Sequence, residues 1–296
     1  MSGVRPAVTR LVALSLSALV ACHGPSQPGP SPNAAGLAGV NGTTLYYETR
    51  GKGPAVVLLE GGNLDCRMWD DQWEHLAPGF RLIRYDVRGF GRSGHTGSPY
   101  SAHEDLYGLL RYLRVERASL VGLSLGGRIA IDFALEHPAM VQALVLAGPG
   151  LSGWSWSSGD SAWFARIDSA AAARDSVRAA ELWLKTSYMV PAMENPELAP
   201  QLHQLAIGNA HFWLEPYSER ELKPPAIGRL GELRAPTLLI LGSRDVPDIH
   251  RIVDTLARSL PSAKRVLFPG SGHMVNLEQP ERFNRVVLQF LQERGR

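Results

Sequence analysis

The pentapeptide Gly122-Leu123-Ser124-Leu125-Gly126 constrains this chain more than any other stretch of its 296 residues. It closes an unbroken apolar run, Ala118 to Leu123, that reads as a buried strand. From Leu125 the pattern turns helical, with Ile129, Phe133 and the pair Ala130/Ala134 on recurring faces. A serine held between strand and helix, with glycine two positions to either side, implies a turn too tight for side chains at the glycine positions. Such a turn pushes the serine oxygen into the open at the sheet edge. The backbone N–H of Leu125 then points to the same spot from the positive end of the helix. Taken alone, the pentapeptide suits a reactive serine and an ordinary helix start equally well. The rest of the chain decides between them.

The first 22 residues stand apart. Arg5 and Arg10 form a positive region, and Leu11 to Ala21 is apolar but too short to span a bilayer. The segment ends Leu19-Val20-Ala21-Cys22, which resembles the lipobox of bacterial lipoproteins, and the resemblance implies cleavage before Cys22 and lipidation of that cysteine. The expected location is therefore the cell envelope, with a lipid anchor on the membrane; simple secretion after cleavage nearby is the alternative. Residues 23–36 are rich in Pro, Gly, Ser and Ala and read as a flexible linker, leaving 37–296 as the folded domain. Removing the leader takes two of the 30 basic residues and none of the 28 acidic ones, so the mature formal charge is zero. Nothing in that balance suggests a nucleic-acid partner.

If Cys22 carries lipid, Cys66 is the one cysteine left in the body. It lies in a loop without a strand-to-helix turn and reads as an incidental thiol, and no Cys/His spacing suggests a metal site. No cofactor is expected.

Within the body, Asn41-Gly42 between alternating segments predicts a hairpin across Leu37 to Gly51. Ala55 to Leu59, Arg81 to Tyr85, Ala118 to Leu123, Val141 to Ala147, Thr237 to Leu241 and Lys264 to Phe268 read as strands. Helices are expected over Met68 to Leu76, His103 to Leu113, Leu125 to about Glu136, Ile249 to Ser259 and Glu278 to Leu291. Several strands lack alternation, as expected where both faces are covered. The rhythm implies an α/β fold: a mostly parallel sheet with helices on both faces. It breaks between about 149 and 230, a stretch rich in Trp, Met and Ala that reads as a helical cap insertion.

A serine hydroxyl is a poor nucleophile near neutral pH, so it needs a general base, and the base needs an orienting group. His273 lies in Gly270-Ser271-Gly272-His273-Met274, a flexible turn directly after the last strand. Asp245 follows the preceding strand in Gly242-Ser243-Arg244-Asp245. The order Ser124, Asp245, His273, each just beyond a strand's C-terminal end, is that of a catalytic triad in an α/β-hydrolase. Asp248 is the rival acid and reads as the cap of the helix near Ile249. The other histidines read as surface or structural residues, with His203 and His211 as pocket candidates.

From about Leu37 onward the chain resembles the α/β-hydrolase superfamily, in its single-domain esterase, lactonase and haloperoxidase-like branch. The resemblance rests on the elbow, Asp86-x-Arg88-Gly89-x-Gly91-x-Ser93, Arg67-Met68-Trp69-Asp70, the Gly-x-x-Asp ending in Asp245, and Gly272-His273 before Asn276-Leu277-Glu278-Gln279-Pro280. It implies an oxyanion hole made by the backbone N–H groups of Leu125 and Gly62, and a structural role for the Asp86–Ser93 turn. Where the superfamily usually carries His-Gly, this chain has Glu60-Gly61. The expectation is that Glu60 is buried, with its carboxyl paired, for example with Arg88 or Arg92, or hydrogen-bonded away from the serine.

The expected activity is hydrolysis of small to medium, largely apolar carboxylic esters or lactones through an acyl-enzyme. Alternatives on the same triad are a carbon–carbon bond hydrolase, a perhydrolase or an amidase. A non-catalytic envelope binding protein on the same fold is the alternative of a different class.

Overall fold

The computed structural model describes residues 33–95, 98–157, 159–215 and 218–294. The leader, Cys22 and most of the linker lie outside them. The eight strands are β1 (Ala34–Val40), β2 (Thr43–Arg50), β3 (Ala55–Leu59), β4 (Arg81–Tyr85), β5 (Ala118–Leu123), β6 (Val141–Ala147), β7 (Thr237–Gly242) and β8 (Lys264–Phe268). They form one sheet in the order β1-β2-β4-β3-β5-β6-β7-β8. The β1–β2 and β2–β4 pairs are antiparallel and the others parallel.

At the hairpin, Asn41 and Gly42 take φ of 45° and 75°, the paired positive values that match the twist of the flanking strands. β1 begins earlier than the linker was expected to end. Ala34 to Gly36 pair with Thr49 to Tyr47, so the register set by the hairpin carries three small residues of weak strand preference into the sheet.

The central strands β3, β5 and β7 are buried throughout. Their residues alternate between two apolar layers. Val57, Leu59, Leu120 and Leu239 pack on one side, and Val56, Leu58, Val121 and Leu238 on the other. Helices α1 (Asp70–Leu76), α2 (Ala102–Tyr112) and α3 (Leu125–Glu136) follow in chain order. The helix expected from Met68 opens as a one-turn 3-10 helix, Cys66–Trp69, before α1 takes over.

Between β6 and β7 stand α4 (Ser161–Ala172), α5 (Ser176–Trp183), α6 (Val190–Met193) and α7 (Ala199–Gly208). α8 (Pro247–Ser259) joins the last two strands. The terminal helix divides into α9 (Val275–Glu278) and α10 (Pro280–Arg294), because Pro280 disfavours helical backbone at Gln279, which takes φ −136° and ψ 63°. Among the described residues, no helix is long and apolar enough to cross a membrane.

Parallel register aligns the carboxyl ends of the central strands. Leu59 pairs with Gly122, Leu123 with Ala147, and Gly242 with Phe268. The residues just past these ends, Gly62, Ser124, Asp245 and His273, therefore emerge at one edge of the sheet.

Candidate active site

Ser124 sits between β5 and α3 with φ 53° and ψ −110°, a conformation that costs a side-chain-bearing residue roughly 1–3 kcal/mol. The neighbourhood holds it there. Its N–H donates to Ala147 O at 3.0 Å, and its carbonyl accepts from Arg128 N at 3.0 Å and Gly150 N at 2.9 Å. The flanking glycines are required by close approach: a Cβ on Gly122 would lie 2.3 Å from Gly126 O, and one on Gly126 would lie 2.2 Å from Leu59 O. The strained turn thus packs backbone on backbone, with the Gly126 N–H donating to Glu60 O at 2.9 Å.

His273 and Asp245 are buried together. Nδ1 of His273 lies 3.0 Å from each carboxylate oxygen of Asp245, and Asp245 Oδ1 also accepts the Val246 N–H at 2.7 Å. Nδ1 is therefore committed to the carboxylate, and Nε2 is the nitrogen left for a substrate-side proton. Gly148, at φ 47°, leaves room for the pair: a Cβ there would stand 3.0 Å from Asp245 Oδ2 and 3.1 Å from His273 Nδ1. Tyr188 meets the imidazole edge-on, its ring centroid 5.1 Å away. Glu278 grips the turn from beneath. Its two carboxylate oxygens accept the N–H groups of Gly272 at 2.8 Å and Met274 at 3.0 Å, the residues on either side of His273. The motif containing Glu278 is visible in the sequence, but nothing there reveals this grip.

Gly61, Gly62 and Asn63 face the serine across a cavity of about 560 Å³, which is also lined by Ser124, Leu125 and His273. A Cβ on Gly62 would touch the Leu125 side chain at 3.8 Å, so the two expected oxyanion donors are neighbours. Glu60 is fully buried and does not line that cavity. Its Oε1 accepts the Val87 N–H at 2.7 Å, so it supports the turn after β4. The arginine pairing considered for it does not occur. Arg88 makes a two-pronged bond to Asp105 at 2.7 Å in both arms, and Arg92 bonds to Asp86 and Glu48.

Burial, and then the nearby Asp86 carboxylate, push the Glu60 carboxyl well above its usual range. The neutral form is thus favoured in the folded protein. An acid whose folded pKa is raised contributes stability that is fully present below its unfolded value, 4.5, and lost as pH rises through the folded value. Glu60→Gln is accordingly expected to flatten the fall in melting temperature as pH rises above about 4.5. Parallel profiles for the variant and the parent would refute a neutral Glu60.

The Asp86 turn is structural, as expected. Oδ1 of Asp86 accepts the Cys66 N–H at 3.0 Å and Oδ2 accepts the Arg92 N–H at 2.8 Å. Cys66 is buried, and burial together with the Asp86 carboxylate pushes its thiol far up. Such a thiol is inert.

The cap contributes Trp156, Asp160, Phe164, Trp183 and Tyr188 to the cavity wall. Asp248 does not cap α8, whose first turn begins at Pro247 and whose N-cap is Val246. Its carboxylate instead accepts Trp154 Nε1 at 3.1 Å, the Ser157 N–H at 3.0 Å and the Ser157 hydroxyl, and it pairs with Arg251. These donors bring its pKa down to about 2 against the opposing effect of burial. Asp248 is thus the pin that fastens the cap's first loop to α8. His203 lines a different cavity, between Trp163, Leu184, Val190 and Met193, and neither it nor His211 reaches the serine's pocket. Among the described residues no cluster of three or more His, Cys, Asp or Glu could hold a metal ion.

The profile of the alpha/beta hydrolase fold family matches residues 54–280. A pimeloyl-(acyl-carrier protein) methyl ester esterase from Nitrosomonas europaea is 31% identical over 260 residues, spanning 81% of this chain and 96% of that protein. A 2-hydroxy-6-oxononadienedioate/2-hydroxy-6-oxononatrienedioate hydrolase from Comamonas testosteroni is 28% identical over 271 residues, spanning 86% of this chain and 93% of its own length. Among solved structures, the enol-lactonase from Burkholderia xenovorans LB400 superposes with a TM-score of 0.73 at 25% identity, covering 87% of this chain and all of that one.

Proposed function

Because the chain belongs to the alpha/beta hydrolase fold family, we propose that it is a serine hydrolase cleaving small to medium, largely apolar esters or lactones. The observation that carries this reading is the His273–Asp245 pair, buried, bonded through Nδ1, and sharing the Ser124 cavity. In the proposed cycle, Ser124 Oγ attacks the carbonyl carbon as its proton passes to His273 Nε2. Asp245 holds the imidazole in the required tautomer and stabilises its protonated form. The N–H groups of Gly62 and Leu125 take the oxyanion, each worth roughly 2.7–4 kcal/mol of barrier. The imidazolium then gives its proton to the leaving alkoxide, and the acyl-enzyme forms. Water, deprotonated by the same nitrogen, attacks the acyl carbon and releases the acid and the serine.

Relatives include both ester and carbon–carbon bond hydrolases. The lining of the main cavity favours the ester or lactone reading. A dioate substrate carries two carboxylates, whereas this wall presents Asp160 and Asp248 and, among the described residues, no Lys or Arg. A panel of esters, lactones, amides and vinylogous diketones, run beside Ser124→Ala, tests the reading. Turnover of the diketone without ester turnover would replace it.

The export reading rests on the residues before Cys22. It predicts that intact-mass spectrometry of the envelope-extracted protein will find Cys22 as the first residue, bearing lipid. An unmodified N-terminus elsewhere would show simple secretion or retention.

A further inference from the structure

The charge of the cavity wall points further than its shape. Among the described residues lining the main cavity, the side chains able to carry full charge are Asp160, Asp248 and His273. Asp248 is matched by Arg251. Asp160 has no such partner among its contacts: its carboxylate accepts the Ser187 N–H at 3.2 Å from each oxygen and the Ser187 hydroxyl. Although Asp160 stands at the N-cap of α4, its side chain does not cap that helix. It is turned across to Ser187, beside Tyr188, whose ring touches His273. The same wall carries Trp156, Phe164, Trp183 and Tyr188. The smaller cavity on the other side of Ser124 holds Arg128, but its Nη2 donates to both carboxylate oxygens of Glu219 and its Nη1 to Asp132, and Glu221 lines the same space. Among the described residues lining these two cavities, no cation pairs with Asp160.

A carboxylate among aromatic rings attracts a cation on two counts. It supplies the opposite charge, and the rings supply their negative faces. The Tyr188 phenol registers this field: after burial, the causes that push it up are the Asp248, Asp160 and Asp245 carboxylates.

We propose that Asp160, with the aromatic wall formed by Trp156, Trp183 and Tyr188, selects ester substrates bearing an ammonium group and rejects anionic ones. This rests on the ester-hydrolase reading and narrows its substrate class.

Butyrylcholine and 3,3-dimethylbutyl butyrate share one shape and differ by a single charge, so their ratio of kcat/KM isolates the effect. The expected ratio is about ten in favour of the cation, collapsing toward one in Asp160→Asn. Added salt should lower kcat/KM for butyrylcholine and leave the neutral ester's value in place. This readout needs no variant and decides the matter even if Asp160→Asn folds poorly. A wild-type ratio at or below one, or a ratio unmoved by Asp160→Asn, would overturn the proposal.

Binding of the same two esters to Ser124→Ala, followed by tryptophan fluorescence, separates selectivity from chemistry. Tighter binding of the cation without hydrolysis by the wild type would support charge selection and overturn the hydrolase reading. Neutral-ester hydrolysis without any cation preference would do the reverse.

Discussion

Ser124→Ala should lower kcat on an activated short-chain ester by roughly 10⁴–10⁶-fold while leaving the protein folded. The two halves of this expectation have separate causes. The hydroxyl oxygen is the proposed electrophile-seeking atom, and neither His273 nor the facing N–H groups can replace the covalent step it opens. The backbone bonds that hold the turn, donated to Ala147 O and accepted from the Arg128 and Gly150 N–H groups, do not involve the hydroxyl. Thermal melting should accordingly shift little. Because residue 124 sits at φ 53°, Ser124→Gly should be equally inactive yet more stable than the parent, by about 1 kcal/mol, since glycine adopts that backbone freely. An inactive variant that melts higher is the mark of strain kept for function. Turnover above about 1% of wild type in Ser124→Ala would remove the serine from the mechanism. A Ser124→Gly variant that melts lower would show that the turn is not strained.

That elbow was legible in the chain because its constraints are local. A buried strand, two glycines and a helix start occupy adjacent residues, and each leaves a mark on composition. The same holds for β3, β5 and β7, where burial on both faces removes polar residues altogether. The order of Ser124, Asp245 and His273 carried the rest, since parallel strands in register bring their ends to one edge. What the chain concealed depends on contacts between distant segments. Asp248 has the residue type and position of a helix cap, and only the docking of Trp154 and Ser157 onto it discloses the pin. Asp160 likewise has the right position for a cap and turns instead to Ser187. Glu60 shows the other limit. Its burial could be expected, but its partner, a single backbone N–H of the neighbouring strand's turn, has no signature in a side-chain pattern.

The two acids three residues apart, Asp245 and Asp248, allow the mechanism to be separated from the architecture. Asp245→Asn should reduce kcat by roughly 10³–10⁴-fold with little change in KM. Val246 N–H, 2.7 Å from Asp245 Oδ1, selects the orientation of the new amide by keeping its carbonyl oxygen on that side. The NH₂ group then takes the place of Oδ2 and faces His273 Nδ1, 3.0 Å away. An imidazole given a donor at Nδ1 must accept there and hold its proton on Nε2, the nitrogen that has to take the serine's proton. The base is present and correctly placed, but in the wrong tautomer. Asp248→Asn should act on a different quantity. With a pKa of about 2, Asp248 is ionised throughout any practical assay, and its charge strengthens the bonds from Trp154, Ser157 and Arg251. Weakening them loosens the cap over the cavity, so KM should rise by about tenfold while kcat stays within a factor of a few. Steady-state kinetics on one ester with both variants decides the assignment: if Asp248→Asn proves the more damaging to kcat, the acid of the triad has been misassigned.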